Sequence, residues 1–210
     1  MKIGIIGSGT VAQTLAAGFL EDKHDVMLGT GSPQKLDAFR AKHPGAKVGS
    51  FDETAGFGDL VVLSVKGDVA EKIIAGVAPK LAGKPVADTT NPLDGKPPVD
   101  GVLSYFTGPN DSLLERLQRA APDAQWVKCW NSVGAPAMVR PKLAGGPPTM
   151  FICGHDKAKA AVKPLLEAFG WGSADMGPVH AARAIEPLCI LWCIPGFRGR
   201  GWTHALKLLR

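Results

Sequence analysis

The sequence predicts an α/β fold, a doubly wound parallel sheet with a small, mostly helical C-terminal portion. The first residues, KIGIIGSG, form a short apolar run that ends in glycines, as a buried parallel strand does where it enters a tight turn. Apolar runs of strand length then alternate with amphipathic helical stretches, the order that builds a parallel sheet covered on both faces. The chain has 210 residues, 45% hydrophobic and 20% charged, enough for one substantial core. One domain over residues 1–210 is expected, with 131–210 as a C-terminal extension completing the sheet.

After the first strand, TVAQTLAAGFLEDKH sets Val11, Leu15, Gly18 and Phe19 at helical spacing, and DVMLGT follows as the second strand. Ser32 before Pro33 reads as a helix start, a capping hydroxyl ahead of a residue suited to the first helical position, with the helix running to about Lys42. AKVGS and DLVVLSVK are the third and fourth strands, DVAEKIIAGVAPKL a helix capped by Asp68, and KPVADTTNPL the fifth strand and its exit. Residues 92–109, rich in Pro and Gly, read as loops. DSLLERLQRAAP is a helix and QWVKCWNSV a sixth strand, on which Trp126 and Trp130 face the same side. GGPPTMFICGHD supplies a loop and a strand, DKAKAAVKPLLEAFG a helix, and the tail from Gly177 reads as mostly helical.

Several classes fall away on composition. The net charge of +5 is spread without a basic block, so no nucleic-acid partner is expected. Cys129, Cys153, Cys189 and Cys193 lack metal-site spacing and sit in apolar company, as reduced core thiols do; Cys189 and Cys193 can share a helix face. The five histidines are scattered without metal-spaced partners, and no metal is expected. The N-terminus runs straight into a strand with no stretch of leader or membrane-spanning length, so a cytoplasmic chain off the membrane is expected.

Gly7, Gly9 and Ala12 form G-x-G-x-x-A between a hydrophobic strand and an amphipathic helix, the context of a Rossmann-type dinucleotide turn. The amides from Ser8 through Gly9 and Thr10 to Val11 would face a diphosphate from the helix N-terminus. About twenty residues on, where a protein that binds NAD sets an acid on the ribose, this chain has Thr30, Gly31, Ser32 and Lys35. A carboxylate beside a 2′-phosphate meets repulsion of about 4 kcal/mol per pair of unit charges near a surface. Two hydroxyls, a helix start and one cation in its place point to NADP(H) as cofactor. Thr30 and Ser32 equally suit turn and cap chemistry and Lys35 a solvated helix face, roles compatible with binding.

Asn131, Ser132, Val133, Gly134 and Ala135 leave the sixth strand at the carboxyl edge, where ligands of such sheets bind, and are candidates for a wall of the site. Trp126 and Trp130 suit core packing by default and stacking on a flat ligand as the alternative. No side chain is assigned to catalysis, because the sequence shows no acid, base or nucleophile constellation and its five histidines are scattered.

The blocks KIGIIGSGTVAQTLAAGFLEDKHDVMLGT, DLVVLSVK, VADTTNPL, WVKCWNSVGA and TMFICGHDKAKAAVKPLLEAFGWGSADMGPVHAARAIEPL together resemble the coenzyme F420-dependent NADP oxidoreductases and, more distantly, the reductase domain of the STEAP metalloreductases. The resemblance implies a homodimer in which NADP lies across the glycine turn and a small-molecule acceptor, F420 or a flavin, sits against the nicotinamide. Carried over by position, Ser8 to Val11 hold the diphosphate and Thr30, Gly31, Ser32 and Lys35 the 2′-phosphate. Ser64, Val65 and Lys66, with Asn91 and Pro92, line the ribose and nicotinamide, and 131–210 supplies the acceptor and dimer region. The chain departs from the family at Gly31 and Gln34, where Arg is frequent, and at Lys66, where Pro is frequent. An NADPH-dependent flavin or ferric reductase and an NADP(H)-binding redox sensor are the alternatives. β-Hydroxyacid dehydrogenases and imine reductases share the turn but add a helical domain for which this chain has little room. The tail, with Arg198, Arg200, Lys207 and Arg210, suits a dimer-contact helix, a clamp for an acidic acceptor tail or an amphipathic terminus.

Overall fold

The computed structural model describes residues 1–209, so Arg210 of the tail cations lies outside the described residues. Eight strands form one sheet: β1 (Lys2–Ile6), β2 (Asp25–Gly29), β3 (Lys47–Gly49), β4 (Leu60–Leu63), β5 (Pro85–Asp88), β6 (Gln125–Lys128), β7 (Thr149–Gly154) and β8 (Gly172–Asp175). Their order is β3-β2-β1-β4-β5-β6-β7-β8, so the chain winds outward from β1 in both directions. Strands β1 to β6 pair in parallel, β7 joins β6 antiparallel, and β8 is parallel to β7.

Alternation along the strands divides the interior into two cores. Ile3 and Ile5, with Val62, Ala87 and Val127, pack on one face, and Ile6, with Val61, Leu63, Val86 and Trp126, on the other. Each fully buried Ile or Leu contributes about 1.5–3 kcal/mol. Trp126 and Trp130 belong to opposite cores, contrary to the expectation from their spacing, because β6 ends at Lys128 and the Trp130 backbone turns to φ 57°, which breaks the two-residue period.

The helices α1 (Thr10–Glu21), α4 (Gly67–Leu81), α5 (Leu113–Ala120) and α6 (Asp156–Ala168) lie where the sequence places them. Asp68 does not cap α4: Lys66 is the N-cap residue and Asp68 sits in the first turn, favourable to the helix dipole. The expected helix after Ser32 is a 3-10 turn (Pro33–Leu36) followed by the six-residue α2 (Asp37–Lys42), and the Ser32 hydroxyl caps neither. A further helix, α3 (Phe51–Phe57), begins at a capping box in which Ser50 and Glu53 satisfy each other's amides. Helices α7 (Ala182–Ile185) and α8 (Pro187–Phe197) form the helical tail, and 198–209 is without helix, which excludes a terminal dimer-contact helix there. Instead the Thr149 amide donates to the Leu206 carbonyl, and the Trp192 indole to that of His204. All four cysteines are buried and free of disulfides. Among the described residues no helix is long and apolar enough to cross a membrane.

Gly7, at φ 143°, ends β1, and a Cβ there would stand 2.0 Å from the Ser64 carbonyl oxygen. Gly7→Ala therefore loses at least about 2 kcal/mol and lowers Tm by about 4–8 °C, whereas Gly9→Ala, whose Cβ meets nothing within 4 Å, stays within about 1 kcal/mol. Thermal unfolding of the two variants checks the contrast.

Candidate active site

Because β1, β2, β4, β5 and β6 are parallel, Gly7, Thr30, Ser64, Asn91 and Asn131 all emerge beyond the same carboxyl edge. Strand order reverses direction between β1 and β4, where an open α/β sheet leaves a crevice. Gly9 precedes α1 in extended conformation and no side chain caps that helix, so its N-terminal amides keep their claim on a ligand. Gly9 and Thr10 are exposed, and Ser8 and Val11 half-buried. The fold demands Gly7 and does not demand Gly9; close approach of a ligand to the backbone is the remaining reason for a glycine there.

Thr30 ties the two nucleotide-side loops together. Its hydroxyl donates to Ser8 Oγ at 3.1 Å and accepts from the Ser32 amide at 3.1 Å, while Gln13 Nε2 donates to the Ser8 carbonyl at 2.9 Å. A groove of about 800 Å³ opens beside these loops, lined among others by Thr30, Gly31, Arg40, Lys47, Ser50 and Glu53. Neither Ser32 nor Lys35 lines it, and the element that starts at Ser32 is a four-residue 3-10 turn rather than the α-helix the sequence predicts, with α2 six residues long behind it. Arg40, which sequence reasoning misses, brings the guanidinium that Gly31 and Gln34 lack. Its signal is hidden by the 3-10 turn, which resets the face that α2 presents. Glu53 also enters the groove, its carboxylate engaged by the Ser50 amide at 2.7 Å and hydroxyl at 2.9 Å; the hydrogen bond from that amide, more than any other cause, holds its pKa below the usual range.

At the far end of the edge lies a cluster the sequence does not announce. Lys128 is fully buried, its ammonium 2.5 Å from Asp88 Oδ2, 2.8 Å from Glu186 Oε1 and 2.9 Å from the Thr90 carbonyl. Burial by itself would lower the Lys128 pKa, but Asp88 and then Glu186 outweigh it and the net shift is upward. The remaining lone pairs are filled: Asp88 Oδ1 accepts from the Thr90 amide and hydroxyl, and the Glu186 carboxylate accepts from the amides of Leu113 and Leu114 at the start of α5. The Tyr105 hydroxyl donates to the Glu186 carbonyl at 2.6 Å, closing the 92–109 loop over the cluster. Arg183 pairs with Glu115 through two hydrogen bonds of 2.9 and 2.6 Å and so fixes α7 to α5.

Asn91 and Asn131 grip each other across this cluster. Asn91 Nδ2 donates to the Asn131 carbonyl at 2.8 Å, and Asn131 Nδ2 to Asn91 Oδ1 at 3.1 Å and the Ile185 carbonyl at 3.2 Å. Ser64 and Pro92 are buried, Val65 is half-buried and Lys66 exposed. Gly134 serves packing, since a Cβ there would stand 2.6 Å from the Trp192 ring, and Ala135 opens a 3-10 turn against the core.

Known proteins share this architecture. Residues 2–92 match the family described as NADP oxidoreductase, coenzyme F420-dependent. A solved structure from Arthrobacter sp. FB24, assigned as a candidate F420-dependent NADP reductase, is 31% identical with a TM-score of 0.92, covering 100% of both chains. The rat (Rattus norvegicus) metalloreductase STEAP3 is 28% identical over 199 residues, which are 92% of this chain and 38% of the rat protein. The chain thus spans about two-fifths of that relative's length. An imine reductase of Streptomyces aurantiacus shares the fold, with a TM-score of 0.70 at 18% identity, over 95% of this chain and 64% of that one.

Removing one member of a buried charge cluster strands the others, at a cost of about 3–5 kcal/mol. Lys128→Met is expected to lower Tm by about 6–20 °C, a change that calorimetry reads directly.

Proposed function

The chain belongs to the family of coenzyme F420-dependent NADP oxidoreductases, and from that membership we propose that it moves hydride between NADP(H) and F420 or a flavin-like acceptor. The observation that carries the cofactor half is the Gly9 to Val11 turn joined through Ser8 to Thr30 at the mouth of a groove lined by Arg40 and Lys47, two cations against the one Glu53 carboxylate that Ser50 engages. In this reading the Ser8 to Val11 backbone holds the diphosphate. Thr30, Gly31 and Arg40 receive the 2′-phosphate, with Ser32 at the loop and Lys35 at longer range. Ser64, Val65, Lys66, Asn91 and Pro92 line the ribose and nicotinamide, and Asn131 with the Gly134 and Ala135 turn forms the wall toward the acceptor.

The two cofactors supply the hydride chemistry, and the protein binds them, orients them and excludes water. The walls on the acceptor side are dry enough for this, since Asn131, Ser132 and Val133 are each less than a tenth exposed. We place the reaction in the cytoplasm, in a homodimer, with exposed Leu191, Phe197 and Trp202 on and after α8 supporting self-association.

Anaerobic oxidation of NADPH with F420, FMN, FAD and ferric chelate offered separately tests the reading, with NADH run beside each. Fast reduction of F420 or a flavin by NADPH in preference to NADH is the expected result. Ferric turnover alone would favour a metalloreductase, and tight binding without turnover a sensor. Arg40→Ala is expected to raise the NADPH KM about 10- to 150-fold and leave that of NADH unchanged, the loss of one charge-assisted hydrogen bond. Gly31→Asp, whose side chain enters open space, is expected to move the preference toward NADH.

A further inference from the structure

We propose that the buried Lys128–Asp88–Glu186 cluster is the positioning element of the acceptor half of the site, an inference that rests on the functional reading above. The bonds of the cluster end on segments around the nicotinamide and acceptor end of the site and on the elements that cover it. Lys128 holds the Thr90 carbonyl one residue before Asn91, and Asp88 holds the Thr90 amide and hydroxyl. Glu186 holds the first amides of α5 and, through its own carbonyl, Tyr105 of the covering loop. Ile185, its neighbour, accepts from Asn131.

Joining β5 to β6 does not account for this arrangement. Strands β5 and β6 are already joined by a parallel register from Pro85↔Gln125 to Asp88↔Lys128. Buried ion clusters of this kind are commonly replaceable by apolar side chains without loss of stability. The chain between the cluster and Asn131 instead gives up stability: Trp130 is held at φ 57°, and among the described residues the buried Trp130 Nε1 and Asn131 Oδ1 find no hydrogen-bond partner. Strain and unmet polar atoms persist where the surroundings over-determine a geometry, and here the surroundings are the Asn91–Asn131 grip and the Asn131 bond to Ile185, the residue before Glu186. Lys128 itself, at 0% exposure, touches no ligand; it acts through the two strand exits.

The test removes all three charges together, in Asp88→Asn/Lys128→Met/Glu186→Gln, so that no charge is left stranded. Hydrogen exchange is expected to speed up about tenfold over 89–93, 129–135 and 183–187 while β1 and β2 keep their protection. The NADPH dissociation constant, set mainly at the glycine turn and the Arg40 groove, should rise less than acceptor turnover falls, because Asn91 and Pro92 are the nucleotide contacts that lie in the loosened segments. With F420 and FMN as probes, kcat/KM for the acceptor should fall about 10- to 100-fold. Thr90→Val, which deletes only the hydroxyl bond to Asp88, should move the same readouts in the same direction by less, and it serves if the triple variant does not fold. Unchanged exchange over the three segments overturns the proposal, and so does a parallel loss of NADPH affinity and acceptor turnover, which marks a general structural role. A wild-type protein that turns over neither probe removes the functional reading, and the exchange comparison then decides the cluster on its own.

Discussion

The ammonium of Lys128 sits where water does not reach, and much of the molecule is arranged around that fact. A bare cation there would be neutralised or expelled; two carboxylates and a carbonyl keep it charged, and each of those acceptors is tied to a different part of the chain. Asp88 belongs to a central strand, Glu186 to the junction between α7 and α8, and Thr90 to a loop. The cluster therefore decides where the C-terminal portion rests on the sheet and how the 92–109 loop, through Tyr105, closes over the edge. Glu186 has a second role in the same place, since its carboxylate satisfies α5 amides that the Ser112 hydroxyl, bonded to Glu115, leaves open.

At the opposite end of the edge the constraints are backbone ones. Gly7 is required by the protein itself, because the Ser64 carbonyl occupies the space a Cβ would need, while Gly9 and Gly31 face open space. This contrast separates the glycine that makes the turn from the ones that keep a surface clear. The Thr30 hydroxyl then fixes the β2 exit to the β1 exit through Ser8, so two loops far apart in sequence present one continuous face.

What the sequence shows and hides follows from the range of each interaction. The strands β1, β4 and β5 and the glycine turn are legible because a short apolar run and a glycine-rich helix start are local signals. The α3 helix is equally local, written in Ser50 and Glu53, yet it escapes notice because two turns of helix are too short to show a period between neighbouring strands. Strand β8 is polar and three of its four residues are exposed, so no apolar alternation marks it. The Ser32–Pro33 start misleads because Thr30 takes the Ser32 amide and a 3-10 turn intervenes, and Arg40 stays hidden for the same reason. Lys128, in VKCWN, reads as an ordinary lysine on a strand; only Asp88 and Glu186, both distant in sequence, reveal a buried charge.

The two halves of the proposed site accordingly differ in how they are encoded. The phosphate-binding end is made of residues near the start of the chain, each held by its own strand exit and by short bonds such as Thr30 to Ser8. The acceptor side is held by bonds that join Asp88, Lys128 and Glu186, so its shape depends on segments that do not touch a ligand. A substitution in α7 or α8 can reach the Asn91–Asn131 pair through Ile185 and Glu186 without disturbing the glycine turn, since no bond of the cluster runs to β1 or β2. The glycine-turn end and the Asn91–Asn131 end of the proposed site thereby rest on separate supports within one sheet.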